Sequence, residues 1–167
     1  YQAIPNKSSK LEYILQKWVE VWISYFIFFK SERSQPFNIS DNKLERYKKI
    51  IIEACEQSWR NVIPELKVLN SSIISMMQWL QSISMMEYKW PEWEKNLFFH
   101  TISDNSKSLK DFWFNSNANL FVWPEWGWNE EEVKEFEKMW FDKIHLWNRI
   151  LRCETVSSVV GFYLWLN

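Results

Sequence analysis

Apolar residues recur along this chain in two rhythms: short unbroken runs, and stretches spaced three and four apart. Over Lys10–Val21, Leu11, Ile14, Leu15 and Val19 share one helical face, and Ser8 or Ser9 offers the N-cap. Tyr25–Phe29 is an aromatic-rich apolar run and predicts a buried strand. Ser31–Phe37 is polar, contains Pro36 and reads as a loop. Asp41 caps a helix to about Ser58, with Leu44, Tyr47, Ile50, Ile51, Ala54 and Cys55 on its apolar face. Pro64 leads into a strand over Glu65–Leu69, and Asn70 or Ser71 starts a helix to about Leu80.

Ser82–Lys95 is irregular, with Pro91 and mixed charge. Asn96–Thr101 predicts a strand, and Ser103–Asn117 a loop with one helical turn. Asn119–Val122 is another strand. Asn129 caps a helix to about Met139, with Glu132 completing a capping box. Lys143–Leu146 is a strand, and an apolar helix runs from Glu154 to the end. Short apolar strands alternating with helices predict an α/β fold: a mainly parallel sheet with helices on both faces.

A length of 167 residues suits one domain, and 47% hydrophobic with 25% charged content excludes wholesale disorder. No apolar run approaches the ~18 residues of a membrane span, so no membrane association is expected. Net charge is −1, so any nucleic-acid contact must come from a local patch. Two cysteines, Cys55 and Cys153, make neither a disulfide framework nor a zinc site; a reducing, cytoplasmic setting is expected. His100 and His145 lack metal-ligand spacing, so no metal is expected. The chain starts at Tyr1 without Met and reads as a fragment or trimmed domain. It holds two Gly and thirteen Trp, whereas average usage predicts about 12 Gly.

In open parallel sheets, ligands bind beyond the carboxyl ends of strands. Three loops qualify: after His100, after Val122 and after Leu146. With Gly in place of Trp123 and Trp126, the second reads GPEGGWNEEE; with Gly in place of Trp147, the third reads LGNRILRCET. These resemble the two signature loops of the RsmE family, uracil ring-nitrogen methyltransferases of small-subunit ribosomal RNA. Glu53–Glu65 (EACEQSWRNVIPE) is similar to that family's EAxEQSGRxxxPE. Lys17–Ile23 followed by Ser31–Ser34 is similar to its KxxELGV and SERS. Ribose methyltransferases of the same SPOUT class end in an SLNVS-like segment, which Arg152–Val156 (RCETV) is not.

Trp22, Trp59, Trp123, Trp126, Trp140 and Trp147 all stand where the family pattern has Gly. Gly at such sites supplies positive φ or close backbone approach, and a bulky residue is the worst substitute. The expectation is a gene whose UGA codons mean Gly, translated with UGA as Trp. Trp128 stands where the family tolerates a large residue and reads as genuine.

The resemblance implies a SPOUT-type trefoil-knotted domain over residues 1–167, with a PUA-like RNA-binding domain apparently missing ahead of it. It implies S-adenosyl-L-methionine as cofactor, held mainly by loop backbone: His100 and Thr101; Trp123, Pro124, Glu125, Trp126 and Gly127; Leu146, Trp147, Asn148, Arg149, Ile150 and Leu151. Thr155 and Glu154 start the last helix beside that site. Real indoles at 123, 126 and 147 would partly occupy it. Methylating a uracil ring nitrogen requires loss of its proton, and a positioned cation stabilises the anion; Arg152 and Arg149 are the candidates, with Glu125 or Glu154 orienting them. Lys43, Arg46, Lys48 and Lys49 are most simply a solvated helix face; with Arg33 and Arg60 they are a candidate RNA-facing patch. The implied partners are small-subunit ribosomal RNA, or the assembled small subunit, and a second copy of the chain. Val156, Val159, Val160, Phe162, Tyr163 and Leu166 leave the last helix apolar nearly all round, so it must be covered on several sides: by its own sheet and a partner subunit, or wholly within its own domain. The alternatives are a catalytically silent RNA-binding relative and a different SPOUT RNA methyltransferase. A Trp-rich carbohydrate-binding module would need an all-β pattern.

Overall fold

The structure is a computed structural model and describes residues 1–34, 39–84, 95–101, 106–111, 117–146 and 150–166, without the side chains of 79–84 and 165–166. Among these residues, seven strands form two parallel sheets. One has the order β1 (Gln2–Ala3), β2 (Tyr25–Lys30), β3 (Glu65–Ser72). The other has the order β5 (Lys107–Ser108), β7 (Asp142–His145), β4 (Lys95–Phe99), β6 (Ala118–Phe121). A parallel bridge between Gln2 and Val122 joins them. There the Ala3 N–H donates to the Val122 carbonyl and the Val122 N–H to the Tyr1 carbonyl, each at 3.0 Å.

The described residues include five helices: α1 (Ser8–Glu20), α2 (Asp41–Gln57), α3 (Ile73–Ser84), α4 (Glu130–Lys138) and α5 (Cys153–Leu166). Alternation along β2 sorts the core. Phe26 and Phe28 bury against α1 and α2, through Leu15, Trp18, Tyr47 and Ile51. Phe29 faces the other cluster, with Phe98, Phe121, Phe136 and Val156 from β4, β6, α4 and α5. The parallel α/β architecture expected from the pattern is thus observed.

The differences in detail have local causes. Lys7, not Ser8 or Ser9, is the N-cap of α1; the Ser8 hydroxyl instead meets Glu12 at 3.3 Å and the Tyr47 hydroxyl at 3.1 Å. Ser40 is the N-cap of α2, and Asp41 is its first helical residue, favourably placed for the dipole. β3 continues through Ser72, whose hydroxyl accepts the Ser75 N–H at 3.1 Å, so α3 starts at Ile73 rather than near Asn70. β1 and β5 were not predicted, because two residues carry no readable alternation. Among the described residues of Ser103–Asn117, the expected helical turn is the 3-10 turn Leu109–Asp111. Most of the irregular stretch Ser82–Lys95, and residues 35–38 of the first loop, lie outside the described residues. Asn129 and Glu132 form the expected capping box, with bonds of 2.7 and 2.9 Å.

Three helices end alike. After α1, the N–H of Ile23 reaches back to the Trp18 carbonyl and that of Trp22 to Val19. After α2, Arg60 reaches Cys55 and Trp59 reaches Glu56; after α4, Phe141 reaches Phe136 and Trp140 reaches Glu137. This is the Schellman pattern, whose turning residue sits in the left-handed region and is usually Gly. Here it is Trp each time, at φ +63°, +58° and +60° for Trp22, Trp59 and Trp140. Trp128 is different: it is 4% exposed, its indole N–H donates to the Phe99 carbonyl at 2.8 Å, and it stacks on Phe29.

Candidate active site

A cleft of about 410 Å³ opens beyond the carboxyl ends of β4 and β6. One wall is the β6–α4 loop, with Trp123, Glu125, Trp126 and Gly127; the other is the chain entering α5, from Ile150 to Glu154. Thr101 and Lys10 complete the rim. A larger cleft of about 720 Å³ lies at the amino ends of β2 and β6. The smaller one is the candidate site, because parallel strands present their ligands at the carboxyl ends.

Local chemistry shapes the first wall. The Gly127 N–H closes a turn onto the Pro124 carbonyl at 3.0 Å, and Gly127 has φ +71° with open space where a Cβ would stand. The fully buried Glu132 carboxylate takes the Asn129 N–H at 2.9 Å and the Glu32 N–H at 3.1 Å. Arg33 donates to the Trp126 carbonyl at 3.0 Å. The turn after β2 is thereby fastened to the loop from two sides.

Charge on the rim is balanced. Lys10 Nζ lies 2.7 Å from Glu125 Oε1 and 3.9 Å from Glu154 Oε2. Burial alone would raise the Glu125 carboxyl, but the bond from Lys10, the Asn6 N–H and the Lys10 charge carry it below the ordinary carboxylate value. Burial alone would lower the Lys10 ammonium, but the bond to Glu125 and the charges of both carboxylates raise it. Cys153 is pushed up to about 12 by burial and by the neighbouring Glu154 carboxylate, so it stays a neutral thiol and not a nucleophile.

Of the residues expected at the cofactor site, Thr101, Trp123, Glu125, Trp126, Gly127, Ile150 and Leu151 line one cleft together with Arg152. His100 lies at the end of β4, its N–H donating to the Ile144 carbonyl at 2.9 Å. Pro124 is buried within the turn, and Leu146 packs against the core. Thr155 is exposed on the first turn of α5. Trp147, Asn148 and Arg149 lie outside the described residues. The indoles of Trp123 and Trp126 stand on the wall, yet the cleft stays open: Trp123 is 4% exposed and built into the core, while Trp126 is 68% exposed.

The basic residues fare unevenly. Arg60 is 6% exposed and donates to the Val19 carbonyl at 3.1 Å and the Val62 carbonyl at 2.9 Å. This burial corrects its placement in an RNA-facing patch: its cation holds the C-terminal ends of α1 and α2 together. Arg46 is exposed and pairs with Glu12 at 3.0 Å. Lys43 lies half-buried on the first turn of α2, and Arg33 is committed to the Trp126 carbonyl. Lys10 was missed in the sequence, since nothing in PNKSSK marks a residue that meets a loop 115 positions away.

A parallel sheet with a cleft beyond its carboxyl edge, walled by a strand–turn–helix loop and a helix start, defines an α/β ligand-binding domain. Residues 1–164 match the model of the RNA methyltransferase domain, and the chain belongs to that family. It is similar to ribosomal RNA small subunit methyltransferase E of Bacillus subtilis, 32% identical over 153 residues. That match covers 89% of this chain and 58% of the relative. The enzyme of the same name from Buchnera aphidicola is 27% identical over 162 residues, covering 92% of this chain and 57% of the relative. The chain thus spans just under three fifths of these relatives' lengths. The Neisseria gonorrhoeae methyltransferase E bound to S-adenosyl methionine superposes with TM-score 0.79 at 27% identity, over 99% of this chain and 63% of that one. A Legionella pneumophila methyltransferase in complex with the same cofactor gives 0.81 at 27% identity, over 99% and 64%. At 9% identity, an A. aeolicus TrmH/SpoU tRNA modifying enzyme shares the fold alone, with TM-score 0.60. The RsmE resemblance read from the signature loops and the SPOUT-type α/β fold therefore hold.

Proposed function

We propose that residues 1–167 act as the methyl-transfer domain of an S-adenosylmethionine-dependent ribosomal RNA methyltransferase, acting on a uridine ring nitrogen of the small subunit. The observation that carries this reading is the convergence of two sequence-distant loops, 123–127 and 150–154, on one cleft. The residues present fit the cofactor. Ile150 and Leu151 offer apolar surface to an adenine, and the open turn at Gly127 admits close backbone approach. Glu125 is kept ionised but neutralised by Lys10, so the rim carries no excess positive charge against a cationic sulfonium. Bound there, S-adenosylmethionine supplies an electrophilic methyl group. Arg152 is exposed on the cleft wall, and in this reading its cation stabilises the uracil anion once the ring proton has passed to solvent water. Glu125 is committed to Lys10 and Asn6 and serves the loop's shape.

The knotted threading of α5 belongs to the same proposal, supported by how closely α5 passes the start of the chain: Ser157 donates to Gln2 at 2.8 Å. So does a homodimer. Val156 and Val160 are buried in the chain's own core, whereas Val159 and Phe162 are 45% and 52% exposed on the opposite side of α5. Tyr163, expected on the dimer face, is half-buried against that core, so the face is better marked by Val159 and Phe162. Light scattering should give a dimer mass, and Phe162→Glu a monomer.

The test of function is calorimetric titration with S-adenosylmethionine, followed by transfer of labelled methyl to small subunits lacking the modification. Heat of binding and label in N-methyluridine are expected. Binding without transfer to any ribosomal particle would favour a silent relative, and label on ribose would favour a different SPOUT activity.

A further inference from the structure

The strip that leads from β1 into α1 touches both walls of the cleft. Gln2, fully buried, donates from Nε2 to the Trp123 carbonyl at 3.3 Å and accepts the Ser157 hydroxyl of α5 at 2.8 Å. Four residues on, the Asn6 N–H donates to Glu125 Oε1 at 2.9 Å. Four further on, Lys10 reaches the same oxygen at 2.7 Å and lies 3.9 Å from Glu154 Oε2. Gln2 and Lys10 thus each touch the β6–α4 loop on one side and α5 on the other.

We infer that Lys10 is a positioning residue of the cleft: one ammonium between Glu125 on one wall and Glu154 on the other sets the spacing of the two walls. Both carboxylates are largely out of solvent, with side-chain exposures of 17% and 16%. Two like charges facing one space repel, and a cation between them turns that repulsion into attraction. Partial burial makes this bridge stronger than an exposed pair. Lys10 touches no reacting atom; it acts through the loop that carries Glu125. The effect on cofactor affinity rests on the reading of this cleft as the S-adenosylmethionine site, whereas the effect on wall order does not.

The test compares the unaltered chain with Lys10→Met, Lys10→Arg and Glu125→Gln, by amide hydrogen exchange without ligand and by calorimetry with S-adenosylmethionine. In Lys10→Met, exchange over 123–128 and 150–154 should rise about ten-fold, with peptides from α2 and β3 unchanged. The Kd for S-adenosylmethionine should weaken by about ten-fold, and Lys10→Arg should bring both readouts to within about three-fold of the unaltered chain. Adding Glu125→Gln to Lys10→Met should cause little further change, since both cut one bridge. Unchanged exchange over 123–128, or a rise spread evenly over the chain with no rescue by Arg, would overturn the inference. An unaltered chain that gives no heat with the cofactor, yet shows the expected exchange pattern, would sink the cofactor reading and leave the positioning role standing. Cofactor binding in the unaltered chain with identical exchange and Kd in Lys10→Met would do the reverse. If Lys10→Met does not fold, the near-isosteric Glu125→Gln carries the same comparison.

Discussion

Replacing Trp59 or Trp140 by Gly should stabilise this chain, and the structure sets the size of the gain. Both residues turn the backbone at the end of a helix with φ near +60°. An L-residue in that region costs about 1–2 kcal/mol relative to the right-handed region. Gly removes that cost but adds freedom to the unfolded chain, worth about 0.4–1 kcal/mol in the opposite sense. The indoles are 92% and 93% exposed, so almost no buried contact is lost. The net gain is about 0.5–1 kcal/mol per site, and the two sites end different helices, so the gains should add. Trp22 is the internal contrast. It has the same φ, but its ring lies under the Arg60 guanidinium at 5.2 Å. A cation–π contact of about 0.5–1 kcal/mol offsets the relief there, and Trp22→Gly should be close to neutral. Urea unfolding at constant m measures each change as a shift in midpoint. Trp59→Ala controls for the indole, since it keeps the Cβ and should gain little. If Trp59→Gly and Trp140→Gly both lower the midpoint, or Ala and Gly behave alike, the strain argument is wrong. Peptide mass sequencing of the native protein at 22, 59 and 140 would decide separately whether its ribosomes insert Gly there.

Gly161→Ala should destabilise by about 1–2 kcal/mol through overpacking, since its Cβ would stand 2.3 Å from Val21 Cγ2 and 3.1 Å from Val21 Cβ; thermal unfolding checks this. Cys153 should resist alkylation at neutral pH until the chain opens, because burial and Glu154 push its thiol up to about 12; fast labelling of the native protein would contradict it. The Lys10–Glu125 bridge should stabilise above pH 4.5 and be lost as pH falls through the depressed Glu125 value. At the other end it should be present below pH 10.5 and be lost as pH rises through the elevated Lys10 value. The difference in Tm between the unaltered chain and Lys10→Met, measured against pH, should therefore be a plateau that collapses at both ends.

The long elements were legible because their burial is periodic: Leu11, Ile14, Leu15 and Val19 mark α1, and an aromatic run marks β2. The capping box of α4 was readable because both partners lie within four residues. The signature loops identified two cleft walls even with indoles in glycine places. What escaped was everything set by distant pairing. β1 exists because β2 and, across the seam, Val122 pair with it, Arg60 is buried because Val19 near the end of α1 and Val62 in the loop beyond α2 present carbonyls to it, and Lys10 matters because Glu125 arrives from another part of the chain. No local rhythm encodes such meetings.

The bridge between Gln2 and Val122 also dictates an order of assembly. Within this stretch of chain, β1 is synthesised ahead of everything it pairs with, and its partner across the seam is made some 120 residues later. The unit α1–β2–α2–β3 can gather its own cluster, Phe26 and Phe28 with Leu15, Tyr47 and Ile51, while the rest of the chain is still being made. The seam cannot close until β6 exists, and Ser157 cannot reach Gln2 until α5 has emerged. Contacts of such long range close slowly and late. A nascent chain therefore carries a folded α1–β2–α2–β3 unit with an open strand edge, exposed to unwanted pairing, and the cleft comes into being only once α5 has emerged.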